Sequence, residues 1–387
     1  MPTARTIMLW SLVHKWTSLI STVFMLLLCV TGLPLIFHHE IDDLLGDGVE
    51  LPVLAQDHRP ASLDGILAAL EARWPDEHVQ FLGWDRDEPG LLHASLAPTI
   101  DAPLTAERRP VAVDGRSAAI LAEAEQFKTF NAVMWRLHVD LYAGLPGKLF
   151  LGFMGLLLVV SLVSGVVLYA PFMRRLDFGT VRRGRSTRIK WLDLHNLLGI
   201  VTLTWLLVVG GTGVLNTWLD LGLGMWRAGQ LAEMAAPYQG QPPAEERASF
   251  DAVVAAARQA APGMDPAIVA FPRSGISTSH HFVVFMRGGT PFTARLLKPV
   301  LIDAASAEVT DSRTPPWYLT TLLLSQPLHF GDYGGMPLRI IWALLDVVSI
   351  VVLSSGLYLW FAKRRGARAR EAMVQPAFPL GRVEEES

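Results

Sequence analysis

Four apolar runs divide the chain, at about Trp16–Phe37, Lys148–Pro171, Leu194–Trp218 and Leu338–Phe361. Each is near the roughly 20 residues that carry an α-helix across a bilayer. The stretches after the first and third runs have a different pattern. Residues 62–74 place Leu63, Ile66, Leu67 and Leu70 at helical spacing, and 78–84, 91–97 and 109–114 read as short strands between Asp, Pro and Gly turns. The second stretch follows the same order, with a helix over 249–261 and strands over 267–272, 281–287 and 294–303. The pattern predicts a membrane α-helical protein: four transmembrane helices with two extracytoplasmic α+β modules. The first run is longer than a secretory apolar core and ends in His38-His39-Glu40 with no small-residue cleavage site, so it is expected to stay as a helix.

The second half repeats the first. LHVDLYAGLP at Leu137–Pro146 returns as LHFGDYGGMP at Leu328–Pro337, with His138, Tyr142, Gly144 and Pro146 answered by His329, Tyr333, Gly335 and Pro337. His14 opens the first run and Thr31-Gly32 follow; His195 opens the third, and Thr212-Gly213 follow at the same distances. Ser62-Leu63-Asp64 matches Ser249-Phe250-Asp251, Pro75 matches Pro262, and Ser164-Gly165 matches Ser355-Gly356. A tandem duplication accounts for this, with the halves related by an axis along the membrane normal. The segments are then 1–39 (first span), 40–143 (first module), 144–173 (second span), 174–192 (basic loop), 193–218 (third span), 219–335 (second module), 336–362 (fourth span) and 363–387 (tail).

Charge sets the orientation. Arg174, Arg175, Arg182, Arg183, Arg185, Arg188 and Lys190 lie between spans two and three, and Lys363, Arg364, Arg365, Arg368 and Arg370 follow span four. By the positive-inside rule both segments, and both termini, face the cytoplasm. The net charge of −3, averaged over basic edges and an acidic Glu384–Glu386 tail, indicates no nucleic-acid partner. Cys29 is the one cysteine in the chain, which excludes an internal disulfide framework, a CxxCH haem attachment and a four-cysteine cluster; it reads as a small apolar core residue. The modules show no glycine-rich phosphate loop, nucleophile elbow or HExxH, so they read as binding or spacing elements. The spans are read as lacking a mid-span acid to couple protons.

Six histidines stand at membrane edges: His14 and His195 inside, and His38, His39, His138 and His329 outside. A single histidine there reads as an interfacial polar residue, but duplication makes two matched pairs, His14 with His195 and His138 with His329. Two imidazoles facing one another between apolar helices suit six-coordinate haem b; zinc or copper is the alternative. Gly32, Gly165, Gly213 and Gly356 are expected to admit close helix approach or a flat ring. Trp135, Trp317, Tyr142 and Tyr333 read as an interfacial belt or docking surface, and Glu40, Asp42 and Asp43 as a solvated helix end or a surface for a cationic chelate. His280 and His281, on an alternating strand, read as one exposed and one buried residue.

The span–module–span unit, with its SxDxxxxxxxxxxP helices, VDG-like strand ends and LHxxxYxGxP before the next span, resembles the PepSY-associated transmembrane family from about His14 to Arg365. Its duplicated members include bacterial inner-membrane ferric-siderophore reductases of the FoxB type. The resemblance implies PepSY-like modules and two haems b, carried over as His14 and His195 for a cytoplasmic-side haem and His138 and His329 for a periplasmic-side one. His38 has no mate, because Leu219 stands in its place in the second copy, so His38 is a further candidate outer ligand. The implied activity is reduction of a ferric siderophore in the periplasm, releasing Fe²⁺ for uptake. The cytoplasmic loop and tail are far short of the ~100 residues of a typical nucleotide-binding domain, and no GxGxxG follows a strand. The donor is therefore expected to be a separate cytoplasmic reductase or membrane quinol. The alternatives are a haem-free PepSY-type regulator that binds a partner, and a subunit of a siderophore or iron transporter.

Overall fold

The computed structural model describes residues 3–54, 60–171, 177–243, 246–291 and 293–374. Arg174 and Arg175 of the basic loop and Glu384–Glu386 of the tail lie outside the described residues. The chain begins with α1 (Ala4–Ile36) and the short α2 (His38–Leu45), which ends at a left-handed Gly46. The first polar stretch folds as α3 (Leu63–Arg73), β1 (His78–Trp84), β2 (Leu91–Ala97), β3 (Arg109–Asp114) and β4 (Ile120–Ala122). Two helices follow, α4 (Phe130–Val139) and α5 (Gly144–Tyr169), and then α6 (Thr187–Thr217). Next, α7 (Leu219–Trp226) runs through a π-helical turn into α8 (Ala232–Met234). The second polar stretch gives α9 (Phe250–Ala260), β5 (Met264–Ala270), β6 (His281–Gly288), β7 (Leu297–Asp303) and β8 (Val309–Ser312), then α10 (Trp317–Phe330) and α11 (Gly335–Val374).

Four of these helices, α1, α5, α6 and the apolar part of α11, are long and apolar enough to cross a membrane. Large apolar side chains such as Val23, Val30, Phe153, Val201 and Leu344 stand exposed on them. A helix that is apolar all round and uncovered by protein needs lipid as its solvent, so this is a helical membrane protein.

The polar stretches form one sheet where two modules were expected. All eight strands join in the order β4-β3-β2-β1-β5-β6-β7-β8, and the seam is antiparallel, with Phe81 opposite Ala270, Leu82 opposite Val269 and Gly83 opposite Ile268. The first three strands and β6 lie where the pattern put them, β5 starts three residues earlier and β7 three later than expected, and β4 and β8 were not expected; the pairing of β1 with β5 does not show in periodicity, because hydrogen bonding between distant edges leaves no local signal. On one face α3 and α9 cover a shared core that includes Ile66, Leu70, Leu82, Leu92, Phe250, Phe271 and Phe282. On the other face, Trp226, Leu231 and Met234, with Leu319 and Leu323 of α10, pack on Val283, Phe285 and Leu301. Covered on both faces, β6 reads as an unbroken apolar run, Phe282–Met286, without alternation.

The two covering helices start against each other. Ser62 and Ser249 each cap their own helix, accepting from Gly65 N and Ala252 N. Asp64 also accepts from Phe250 N at 2.6 Å and from the Ser249 hydroxyl, while Asp251 accepts from Leu63 N at 3.0 Å and Asp64 N at 3.1 Å. Each carboxylate thus satisfies the unpaired amides, and meets the positive dipole end, of the other helix. Burial alone would raise the Asp64 carboxyl, but the Ser249 hydroxyl and the Phe250 and Asp251 amides outweigh it and hold it below the usual carboxylate range. Its contribution to stability is therefore present above that range and lost as pH falls through the lowered value. Asp64→Ala is expected to cost about 1–2 kcal/mol, in the range of a lost cap; thermal melting at neutral pH checks the size, and the difference from wild type should shrink in acid.

By contacts the chain divides into two units. One comprises residues 1–29, 157–207 and 344–387; the other comprises 30–156 and 208–343 and contains the whole sheet.

Candidate functional site

His14 sits on α1 and His195 on α6. His138 and His329, expected just before spans two and four, occupy the last turns of the separate helices α4 and α10. The motif that follows each histidine ends that helix and reverses the chain. Leu141 and Tyr142 adopt left-handed backbone, as does Gly331, and the next helices begin only at Gly144 and Gly335, both at positive φ. A right-handed hydrogen-bond ladder does not continue through such residues.

Each of the four histidines rests in a cradle of the same composition, a hydroxyl residue followed by glycine, on a neighbouring helix. His14 Nδ1 lies 2.9 Å from the Ser161 carbonyl and 3.2 Å from Ser164 Oγ, beside Gly165. His195 Nδ1 lies 3.1 Å from the Val352 carbonyl and 2.9 Å from Ser355 Oγ, beside Gly356. On the sheet-bearing unit, His329 Nδ1 lies 2.9 Å from the Val209 carbonyl and 3.5 Å from Thr212 Oγ1, beside Gly213, and His138 Nδ1 lies 3.1 Å from Thr31 Oγ1, beside Gly32. The Ser/Thr-Gly pairs stood out in the sequence as marks of repetition; the structure shows that they hold the histidines. A carbonyl only accepts, so Nδ1 carries the proton in His14, His195 and His329, and Nε2 keeps its lone pair. Burial, against a smaller opposing effect of the Val209 carbonyl, holds His329 below the usual histidine range, so its ring is neutral at physiological pH.

The structure brings the predicted partners together. The ring centres of His138 and His329 are 6.2 Å apart and the rings are tilted by 58°. Two metal–nitrogen bonds of about 2 Å each, plus the distance from nitrogen to ring centre on both sides, come to about 6 Å, so the separation of these rings would suit two imidazoles sharing one metal ion. His14 is within electrostatic reach of His195. Among the described residues no three His, Cys, Asp or Glu side chains gather to hold a metal ion, so neither pair offers the four protein ligands of a closed zinc site. Two imidazoles per pair, with Nδ1 fixed from behind, would suit a group that takes two histidine ligands, as a bis-histidine haem does.

Other predicted residues lie elsewhere. His38, at the start of α2, reaches back to the end of α1, with Nδ1 3.0 Å from the Leu35 carbonyl, and its ring meets His39, which faces Asp87 at 3.4 Å. His281 is fully buried and bonds Thr278 Oγ1 at 2.7 Å, while His280 is partly exposed and reaches the Gln241 and Pro242 carbonyls. Trp135 and Trp317 are 50% and 80% exposed. Asp346 corrects the reading of the spans as free of acid: it lies on α11, 7% exposed, with Oδ2 lacking a hydrogen-bond partner, and Cys29 of α1 bonds to it. Cys29 is thus a donor as well as packing. A lone Asp inside an apolar run is legible in the sequence; its cysteine partner, on another helix, is not.

Over residues 11–363 the sequence matches the family described as the PepSY-associated TM region. Uncharacterized protein PA4219 of Pseudomonas aeruginosa (strain PAO1) is 29% identical over 268 residues, which cover 63% of this chain and 66%, just under two thirds, of that protein.

Proposed function

Because this chain belongs to the PepSY-associated transmembrane family, we propose that it is a di-haem b oxidoreductase of the bacterial inner membrane that reduces a ferric siderophore on the periplasmic side and releases Fe²⁺ for uptake. The single observation that carries the reading is the fourfold cradle: each matched histidine is held at Nδ1 by a hydroxyl residue or a carbonyl and packed edge-on against a glycine, with one pair already 6.2 Å apart. His14 and His195 would hold one haem, His138 and His329 the other. Haem iron, when bound, supplies one-electron chemistry. The protein's part is to fix the imidazoles, exclude water with apolar helices and present the substrate face. One electron from a quinol or a separate cytoplasmic reductase converts the chelated Fe³⁺ to Fe²⁺, which hard-oxygen chelators hold less well.

The finer architecture belongs to this reading. The chain is a tandem duplication with PepSY-like modules, its termini and basic loop cytoplasmic and its sheet periplasmic. Leu82 and Val269, repeat mates by the same offset that relates Asp64 to Asp251, pair directly at the seam, and those aspartates cap each other's helices, as a two-fold relation between copies requires.

A second reading, a transporter subunit, is favoured by Asp346, the kind of buried acid that couples proton movement. Cofactor content separates the two. A reduced-minus-oxidised spectrum of detergent-purified protein is expected to show low-spin b-type haem, two per chain by quantification, that reoxidises when ferric siderophore is added. A colourless protein would remove the reductase reading and leave transport or partner binding.

A further inference from the structure

Beside the histidine pair of the sheet-bearing unit lies a charge cluster that the reading above leaves unused. Asp332, three residues after His329, receives both Arg86 Nη1 at 2.8 Å and Arg295 Nη2 on the same oxygen, Oδ2. Arg86 comes from the β1–β2 turn and Arg295 from the β6–β7 connection, and the Arg295 guanidinium lies 4.7 Å from the centre of the Phe330 ring, which in turn meets His329. Two guanidinium groups share one carboxylate, so the cluster has an excess positive charge. The nearest carboxylates in sequence are committed elsewhere: Asp85 accepts from His93 and from the Asp87 and Glu88 amides, and Asp87 faces His39.

The cluster is also unsatisfied. Arg295 Nε and Asp332 Oδ1 are both buried with no hydrogen-bond partner. Leaving a buried charged donor and acceptor unmade costs more than a typical hydrogen bond returns, and although those two atoms are covered, the three side chains as wholes remain between 25% and 29% exposed. The unmet demands are specific: an anionic oxygen for Arg295 Nε and the forks of the two arginines, and beside it one hydroxyl to donate to Asp332 Oδ1. Planar guanidinium groups favour a carboxylate's paired oxygens. A simple carboxylate would meet the arginines but leave Asp332 facing it with no proton between them.

We propose that Arg86, Arg295 and Asp332 form a subsite for an α-hydroxycarboxylate group that is not itself coordinated to iron, and so that the reducible substrate is an anionic ferric chelate with such a free arm. This rests on the reductase reading for its purpose, but the subsite itself is defined by the cluster alone.

Calorimetric titration of the full-length detergent-purified protein with citrate, and with tricarballylate, which is citrate without its hydroxyl, tests it. Wild type is expected to bind citrate more tightly than tricarballylate. Arg295→Gln and Arg86→Gln should each weaken citrate binding by about tenfold or more, the worth of a charge-assisted hydrogen bond, and Asp332→Asn should erase the preference for citrate. Arg295→Lys, which keeps the charge and loses the fork, should fall between and guards against a folding defect. Equal affinity for the two acids, or citrate binding indifferent to both arginine variants, overturns the subsite. So does loss of haem from those variants with citrate binding unchanged, which would assign the arginines to a haem carboxylate. A colourless protein that still shows the citrate pattern would keep the subsite and end the reductase reading.

Discussion

Replacing His329 with alanine is expected to halve the haem content and leave the sheet folded. The imidazole is clamped at the end of α10, its Nδ1 on the Val209 carbonyl and its ring 6.2 Å from that of His138. Alanine removes one of the two imidazoles that would hold the haem, and His38 is already committed, its Nδ1 on the Leu35 carbonyl at the end of α1. His138→Ala should remove the same haem, whereas His14→Ala and His195→Ala should remove the other. Haem per chain, read with the low-spin spectrum of the remainder, checks all four. Equal loss from every variant, or none, would break the division into two sites. If His38→Ala removed a haem that His329→Ala spared, the pairing of His138 with His329 would be wrong.

The cradle glycines give a graded result of comparable size. A methyl group built on Gly32 would lie 2.9 Å from His138 Cε1, on Gly213 3.0 Å from His329 Cε1, on Gly165 3.2 Å from His14 Cε1, and on Gly356 3.5 Å from His195 Cε1. The first is too close for any Cβ, so His138 must move; the second sits at the edge of that limit and the third within a few tenths of an ångström of comfortable contact, and the last is ordinary contact. Gly32→Ala and Gly213→Ala are therefore expected to displace their rings and weaken the haem held by His138 and His329, with Gly165→Ala milder and Gly356→Ala close to wild type. Alanine favours a helix over glycine by about 1 kcal/mol, so thermal stability of the haem-free protein should hold or rise even where haem is lost. Comparing the rate of haem loss across the four variants tests the order. A flat response would show that the glycines serve helix packing alone.

The parts of this protein that depend on local chemistry were legible in its sequence. Apolar runs of membrane length became α1, α5, α6 and α11, and the strands 78–84, 91–97 and 109–114 appear with those bounds. The histidine pairs were legible for another reason: repetition placed His14 with His195 and His138 with His329, and a periodic signal reports distant partners when local pattern does not. Long-range hydrogen bonding was illegible. The β1–β5 seam, the exchange of Asp64 and Asp251 between helices, and the contact of Arg86 with Asp332 join residues far apart in the chain through groups common to any surface strand or loop. The placement of His138 and His329 on helices of their own was missed because Leu141 and Tyr142 do not advertise left-handed backbone as glycine does.

The seam also bears on how the protein is made. Until β5 has been synthesised, β1 has a partner on one side only and presents a bare edge, with Phe81 and Leu82 on it, to whatever strand is nearest. The first half therefore leaves the ribosome with an adhesive flank, and two nascent chains could pair through it as the two halves of one chain do. The third span comes before β5 in the chain, so its failure to insert should appear as misassembly of the chain's beginning.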